Sequence, residues 1–162
     1  MKRMNGQKGF LLIEMLLALG ISSIIVTSLG VSLHQFIRIS DQGNAKLSTL
    51  HDVQNAGFWI NRDGGRAEST NLVEGAGPVN TVTMNWTAGG QAHVVTYSLS
   101  GTEIRRNHNG NVITIARHVT QLEFSLNQRV ISTDMTSSIT GRANATEIVS
   151  LKTWLRPTLG GG

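Results

Sequence analysis

A glycine and an acid near the start of this chain flank the entrance to a long apolar segment. Gly9 follows a short basic leader, and Glu14 is the last charged residue before Arg38. The segment from Met15 to Ile37 contains no Asp, Glu, Lys or Arg. As a helix rising about 1.5 Å per residue it would cover roughly 35 Å, more than a hydrocarbon core of about 30 Å. The sequence therefore places a candidate cleavage point and a carboxylate for ion pairing at the mouth of a membrane-length helix.

A basic leader before an apolar segment is also typical of a secretory signal peptide. Such a signal usually has an apolar part of about 7 to 15 residues and is cut after it, at a small-x-small site. Here the apolar segment is longer, and the glycine that could mark a cut precedes it. Cleavage between Gly9 and Phe10 would remove a leader of residues 1–9 and keep the helix, which we predict as a membrane or filament-core segment over residues 10–39.

Gly9, Phe10 and Glu14, combined with the basic leader and the apolar helix, resemble the start of type IV pilin and pseudopilin precursors. The resemblance implies cleavage between Gly9 and Phe10 by a prepilin peptidase and N-methylation of Phe10. It also implies that the helix serves first as a membrane anchor and then as filament core. A plain single-pass anchor and an unusual signal peptide are the alternatives.

Glu14 needs a partner if it enters an apolar environment. A charged side chain at the centre of a membrane helix costs about 2.5 to 3.5 kcal/mol on insertion scales. Near the helix start, Glu14 can stay at the interface while the chain is alone in lipid. In a filament, the resemblance implies that it pairs with the terminal amine of a neighbouring subunit, which assigns Glu14 to assembly. Stabilisation of the helix start through the macrodipole is a compatible alternative.

The distribution of charge predicts the orientation of the chain. Lys2, Arg3 and Lys8 precede the apolar segment, whereas Arg38 and Asp41 nearly cancel after it. The amino terminus should be cytoplasmic and the following domain should lie outside the inner membrane. That domain must fold without disulfides, because the chain has no cysteine. Removing the leader lowers the number of Lys plus Arg residues from 14 to 11, close to the 10 acids. Charge alone therefore does not indicate a nucleic-acid partner.

Residues 40–68 are predicted to continue the helix in amphipathic form. Apolar residues at three- and four-residue steps should pack on a sheet; they are Leu47, Leu50, Val53, Ala56, Gly57 and Ile60. The opposite, solvated face should carry Lys46, Asp52, Gln54, Asn61 and Arg62. Asp63-Gly64-Gly65 should weaken or end the helix, since glycine lowers helix stability by about 1 kcal/mol relative to alanine.

Residues 69–159 are predicted to form an antiparallel β-sheet domain, which makes the fold class α+β and pilin-like. Val82, Met84 and Trp86 alternate with polar residues, and Gly89-Gly90 and Asn109-Gly110 are hairpin turn signals. Further strands are expected over residues 92–99, 102–107, 111–116 and 119–126.

The end of the predicted sheet is less regular. A polar stretch from Ser132 to Asn144 is predicted to interrupt the sheet, and Glu147 to Leu155 to close it. The candidates for burial in this last strand are Ile148, Leu151, Thr153 and Leu155. Residues 160–162, all glycine, are predicted to be a disordered tail.

Two stretches of the predicted sheet are similar to J-type minor pseudopilins and W-type minor pilins. They are Tyr97 to Arg106, a strand-Gly-strand unit ending in arginine, and Ile115 to Phe124, which contains Ala-x-x-Val-x-x-Leu-x-Phe. The resemblance implies a minor subunit of a type II secretion pseudopilus or a type IV pilus. Its implied partners are the prepilin peptidase, other major and minor subunits, the inner-membrane assembly platform and membrane lipid.

The alternative is a major-type or competence pilin whose exported domain binds DNA or a surface ligand through residues 128–144. Against DNA, the arginines are scattered among acids and aromatic residues are few, so no stacking platform is evident. The arginines in question are Arg105, Arg106, Arg117, Arg142 and Arg156.

No catalytic or metal-binding motif stands out, so we predict no enzyme activity, no cofactor and no metal. The histidines form no HExxH or i, i+4 pair and are expected to be surface or packing residues; they are His34, His51, His93, His108 and His118. The carboxylates Asp134 and Glu147 do not approach calcium-loop spacing, although a folded loop could hide a calcium site.

Overall fold

A computed structural model describes residues 8–141 and 143–157, with side chains from Leu12 onward. Most of the predicted leader and the predicted tail at 160–162 lie outside the described residues. The chain divides into two compact units, residues 1–41 and 42–162. One helix, α1 (Lys8–Gly64), contributes residues to both units.

The described part of the first unit is helical throughout. α1 continues through Gly20 and Gly30 without a break, and a Cβ added at either glycine would meet nothing within 4 Å. Glycine lowers helix stability, but the neighbouring leucine and other apolar residues favour the helix enough to carry it across both positions.

The second unit packs the end of α1 on antiparallel β-structure, so the α+β, pilin-like arrangement predicted from the sequence is confirmed. Its strands form a five-stranded sheet in the order β1-β2-β3-β4-β5 and a three-stranded sheet in the order β6-β7-β8. The strands are β1 (Ser69–Thr70), β2 (Thr81–Ala88), β3 (Gln91–Ser100), β4 (Glu103–His108), β5 (Asn111–Ala116), β6 (Val119–Asn127), β7 (Val130–Ile139) and β8 (Ala145–Trp154).

Both predicted hairpin turns are confirmed. Gly89 and Gly90 join β2 to β3 with φ values of 58° and 75°, and Asn109 and Gly110 join β4 to β5 with φ values of 50° and 90°. Positive φ at both central residues is the type I′ requirement that glycine and asparagine meet at least cost.

The apolar stripe of α1 is confirmed in its second half and wrong at its start. Val53, Ala56 and Ile60 are buried in the core, whereas Leu47 is 65% exposed. The buried face begins instead with Ala45 and Thr49. At 100° per residue, Leu47 lies about 200° around the helix from Ala45, so it points away from the sheets.

The prediction of a solvated face on α1 is wrong at Asp52. Asp52 is only 8% exposed, because the connection between β5 and β6 folds over it. Its Oδ1 accepts a hydrogen bond from the Arg117 N–H at 3.0 Å, and its Oδ2 accepts one from the His118 N–H at 3.2 Å. Asp52 therefore satisfies two backbone donors in a loop that the helical periodicity cannot anticipate.

The prediction that the polar stretch from Ser132 to Asn144 interrupts the sheet is wrong. Most of it is β7, which is the central strand of the three-stranded sheet. The turn before it was missed because Gln128 and Arg129 adopt positive φ values of 48° and 64° without a glycine. The strand was missed because only two of its four buried positions are apolar. Ile131 and Met135 alternate there with the polar residues Thr133 and Ser137. The segment assigned to ligand binding in the DNA hypothesis is thus largely core strand.

The burial predicted for the last strand is correct for Thr153 and wrong for Ile148. Ile148 is 72% exposed, because it lies on the face of β8 opposite Val149, Leu151 and Thr153. Leu155, just after the strand, is buried as predicted.

The helix ends at Gly64, slightly before the predicted boundary, where it meets β8. A Cβ added at Gly64 would lie 2.6 Å from Thr153 Cγ2. Next to this contact, the Thr153 hydroxyl donates a hydrogen bond to Asn61 Oδ1 at 3.0 Å. Glycine here permits the close approach of the helix and the strand.

We expect Gly64→Ala to destabilise the second unit by about 1 to 3 kcal/mol, as overpacking of a tight contact does. Thr153→Ser removes the clashing methyl group but keeps the hydroxyl. The double variant Gly64→Ala with Thr153→Ser should therefore recover most of the lost stability. Gly43→Ala is the matched control, because a Cβ at Gly43 meets nothing within 4 Å. Urea unfolding of the full chain in detergent micelles measures these changes. Equal losses for Gly64→Ala with and without Thr153→Ser would contradict the clash.

Candidate functional site

The first candidate site is the apolar surface of α1 in the first unit. Every large apolar side chain from Leu12 to Ile39 is more than half exposed, including Leu12 at 66%, Ile24 at 68% and Phe36 at 71%. By length and composition, α1 is the one helix in the described part of the chain that could cross a membrane. A continuous apolar surface of this extent is stable in lipid or against other helices rather than in water.

Three of the five hydroxyl groups between Leu12 and Ile39 are bonded to the helix backbone. Thr27, Ser28 and Ser32 each donate a hydrogen bond of 2.8 Å to the carbonyl oxygen four residues earlier. A polar group without a partner in hydrocarbon costs several kcal/mol. Because the helix backbone accepts these bonds, Thr27, Ser28 and Ser32 bring no unmet hydroxyl donor into lipid.

Glu14 is the exception in this apolar segment. Its side chain is exposed, and within residues 8–39 it is the one carboxylate. Glu14, Gly9 and Phe10 all lie on α1, and the side chain of Phe10 is outside the described part of the chain.

A second candidate site, which the sequence reasoning missed, lies in the core of the second unit. Asp63 at the end of α1 is fully buried, together with Tyr97 on β3 and Arg106 on β4. The Asp63 carboxylate accepts hydrogen bonds from the Tyr97 hydroxyl and from Arg106 Nε at 2.6 Å. The Arg106 guanidinium also lies 4.6 Å from the ring centroid of Trp59. We call Asp63, Tyr97 and Arg106 the buried triad.

Tyr97 and Arg106 are both held in their protonated forms. Burial, and then the hydrogen bond to Asp63, raises the pKa of Tyr97 far above its ordinary value. Burial by itself would lower the pKa of Arg106, but its hydrogen bonds to Asp63 and Tyr97 outweigh this and raise it. A general acid or base needs a pKa near the working pH. Tyr97 and Arg106 are therefore suited to fastening α1 to the sheet through Asp63 and not to proton transfer.

A weak sequence signal for the triad was present. Arg106 falls at a core-facing position of β4, two residues after the buried Ile104. A charged residue on the buried parity of a strand requires a buried partner. The partner could not be chosen from the sequence, because Asp63 is 43 residues away.

The histidines fall into different environments. His93 and His108 lie on neighbouring strands with Nδ1 of the first 3.1 Å from Nε2 of the second, and His118 Nδ1 lies 2.7 Å from Asp52 Oδ2. Within residues 8–141 and 143–157, no group of three or more His, Asp or Glu side chains is placed to hold a metal ion.

These features define a class of protein: an α+β domain that follows a helix long and apolar enough to span a membrane. Scans of the chain against protein-family models, curated proteins and solved structures each found no match.

Proposed function

We propose that this chain is a minor pilin or pseudopilin, a structural subunit of a type II secretion pseudopilus or a type IV pilus. The observation that carries the proposal is the exposed apolar surface of α1 over residues 12–39, with a single carboxylate, Glu14, near its start. A helix bundle can pair this acid with the amine of a neighbouring subunit, which membrane anchoring alone does not require.

The proposed mechanism is assembly by transfer of α1 from one apolar environment to another. A prepilin peptidase cuts between Gly9 and Phe10 and the new amino group on Phe10 is methylated. In the inner membrane, with its amino terminus cytoplasmic, the subunit keeps Glu14 near the interface. At the assembly platform it leaves lipid for a bundle of other major and minor subunits, where the Glu14 carboxylate pairs with the amine of a neighbour.

The second unit fits the role of an exported domain. It has its own core, with Val53, Ile60, Tyr97, Phe124 and Met135 among its buried residues, and it needs no disulfide. The buried triad fastens the end of α1 to β3 and β4, so a load applied through the helix would reach the sheet directly.

Processing provides the experiment that tests this function. We expect the intact mass of the membrane-bound protein to correspond to residues 10–162 plus one methyl group in cells with an active prepilin peptidase. Gly9→Leu should leave the leader in place, because it replaces the small residue before the cut. Gly20→Leu, in the middle of the same helix, is the matched control and should be processed normally. Retention of residues 1–9 in the unaltered chain, or loss of the helix, would overturn the proposal.

A further inference from the structure

A concave pocket of about 420 Å³ opens in the second unit beside the turn between β2 and β3. Four basic side chains from different parts of the chain line it: Arg66 after α1, His93 on β3, His108 on β4 and Arg156 after β8. Trp86 on β2 forms part of its wall. None of the described residues that line it is acidic.

The two imidazoles are held in place by stacking. The Trp86 ring lies 5.2 Å from His93 and 5.7 Å from His108 between ring centroids, with interplanar angles of 13° and 11°. His93 Nδ1 and His108 Nε2 are 3.1 Å apart, so one ring donates its N–H and the other accepts. Trp86 is only 6% exposed, which makes it a rigid support for both rings.

The charge of the pocket is not neutralised within the described residues. Arg106 pairs with Asp63, whereas Arg66 and Arg156 form no ion pair in the described ranges 8–141 and 143–157. Both are exposed at the pocket. Guanidinium groups that lack a carboxylate partner retain all their donors for a ligand.

We propose that this pocket binds an oxyanion, a carboxylate or a phosphate group, through Arg66 and Arg156 with the His93 and His108 pair as additional donors. The spacing of the two imidazole nitrogens would also suit a shared cation, but two guanidinium groups at the same pocket repel one. The proposal is independent of filament assembly, because it uses only side chains of the second unit.

The proposal has a defined pH dependence. Burial, and then the nearby Arg106 and His93, lowers the pKa of His108, with Arg66 acting in the same direction and Asp63 against it. Without a ligand, the imidazole is therefore neutral at pH 7. A bound anion favours the protonated form and raises this pKa. By linkage, anion binding takes up a proton, so affinity increases as the pH falls through the pKa of His108.

The full chain in detergent micelles, with ¹³C-labelled histidine, tests this by NMR. Inorganic phosphate and acetate are titrated separately at constant ionic strength. We expect saturable shifts at His93 and His108 and a higher pKa for His108, with His34, His51 and His118 unchanged as internal controls. Saturation by phosphate alone identifies a phosphoryl ligand, and saturation by acetate alone identifies a carboxylate.

The matched variants separate the pocket from general charge. Arg66→Gln with Arg156→Gln should weaken anion binding by about tenfold or more, since charge-assisted hydrogen bonds are lost. Arg38→Gln with Arg117→Gln removes the same charge elsewhere and should leave binding unchanged. No response to either anion, or equal weakening by the two double variants, would overturn the proposal. Zinc binding at His93 and His108 without an anion response would overturn it in favour of a cation site.

Discussion

Glu14→Val is expected to leave the chain in the membrane and to remove it from assembled filaments. Valine is apolar, so insertion of α1 should be at least as favourable as with the acid, which costs about 2.5 to 3.5 kcal/mol at a helix centre on insertion scales. Under the proposed function, assembly should fail because the amine of a neighbouring subunit would enter the bundle without its carboxylate. An uncompensated buried charge costs about 3 to 5 kcal/mol, which corresponds to a loss of incorporation by a factor of a hundred or more.

The measurement compares membrane and filament fractions of cells that express each variant. Ala18→Val is the matched control, because it adds the same side chain one turn further along α1 and leaves Glu14 intact. We expect this control to assemble normally. Normal incorporation of Glu14→Val would contradict the proposed pairing, and its loss from the membrane fraction would show that Glu14 acts in insertion instead.

Asp63→Ala is expected to destabilise the second unit by about 3 to 5 kcal/mol, because it leaves the Arg106 guanidinium buried without its counter-charge. Arg106 is 7% exposed and Asp63 is fully buried, so solvent cannot replace the missing carboxylate. The Tyr97 hydroxyl would lose its acceptor at the same time. A loss of this size is a large part of the 5 to 15 kcal/mol that is typical of folded domains.

Removing both charges should cost far less than removing one. Asp63→Leu with Arg106→Met and Tyr97→Phe replaces the ion pair with apolar side chains and leaves no buried hydroxyl without a partner, and such replacements are often close to neutral. Asp134→Ala, an exposed acid on β7, is the single-residue control and should change stability by less than about 1 kcal/mol. Urea unfolding of the full chain in micelles, followed by near-ultraviolet circular dichroism, gives the three values. If Asp63→Ala behaved like Asp134→Ala, the triad would not fasten the helix to the sheet.

Glu14 and Asp63 lie towards different ends of the same helix. Glu14 belongs to a segment whose apolar surface is exposed among the described residues of the first unit. Asp63 belongs to a segment whose partners all lie within the second unit. If the proposed function holds, Glu14 therefore pairs with a group of another subunit. Asp63 pairs with Arg106 of the same chain.

The sequence by itself determined the features that depend on neighbouring residues. The membrane-length helix follows from an uninterrupted apolar composition, and the hairpins at Gly89-Gly90 and Asn109-Gly110 follow from turn chemistry. The core positions Val82, Met84 and Trp86 follow from the alternation of a strand with one buried face. Each of these signals acts within a few residues and needs no knowledge of the rest of the chain.

The tertiary structure decided the features that join distant residues. β7 became a central strand because β6 and β8 pair with both of its edges, although its turn has no glycine and its buried positions include Thr133 and Ser137. Asp52 became buried because residues 117–118 approach it, and the triad joins Asp63 to residues 34 and 43 positions away. The basic pocket likewise joins Arg66 to Arg156. A local pattern specifies an element, but only packing specifies which polar groups share a buried or concave site.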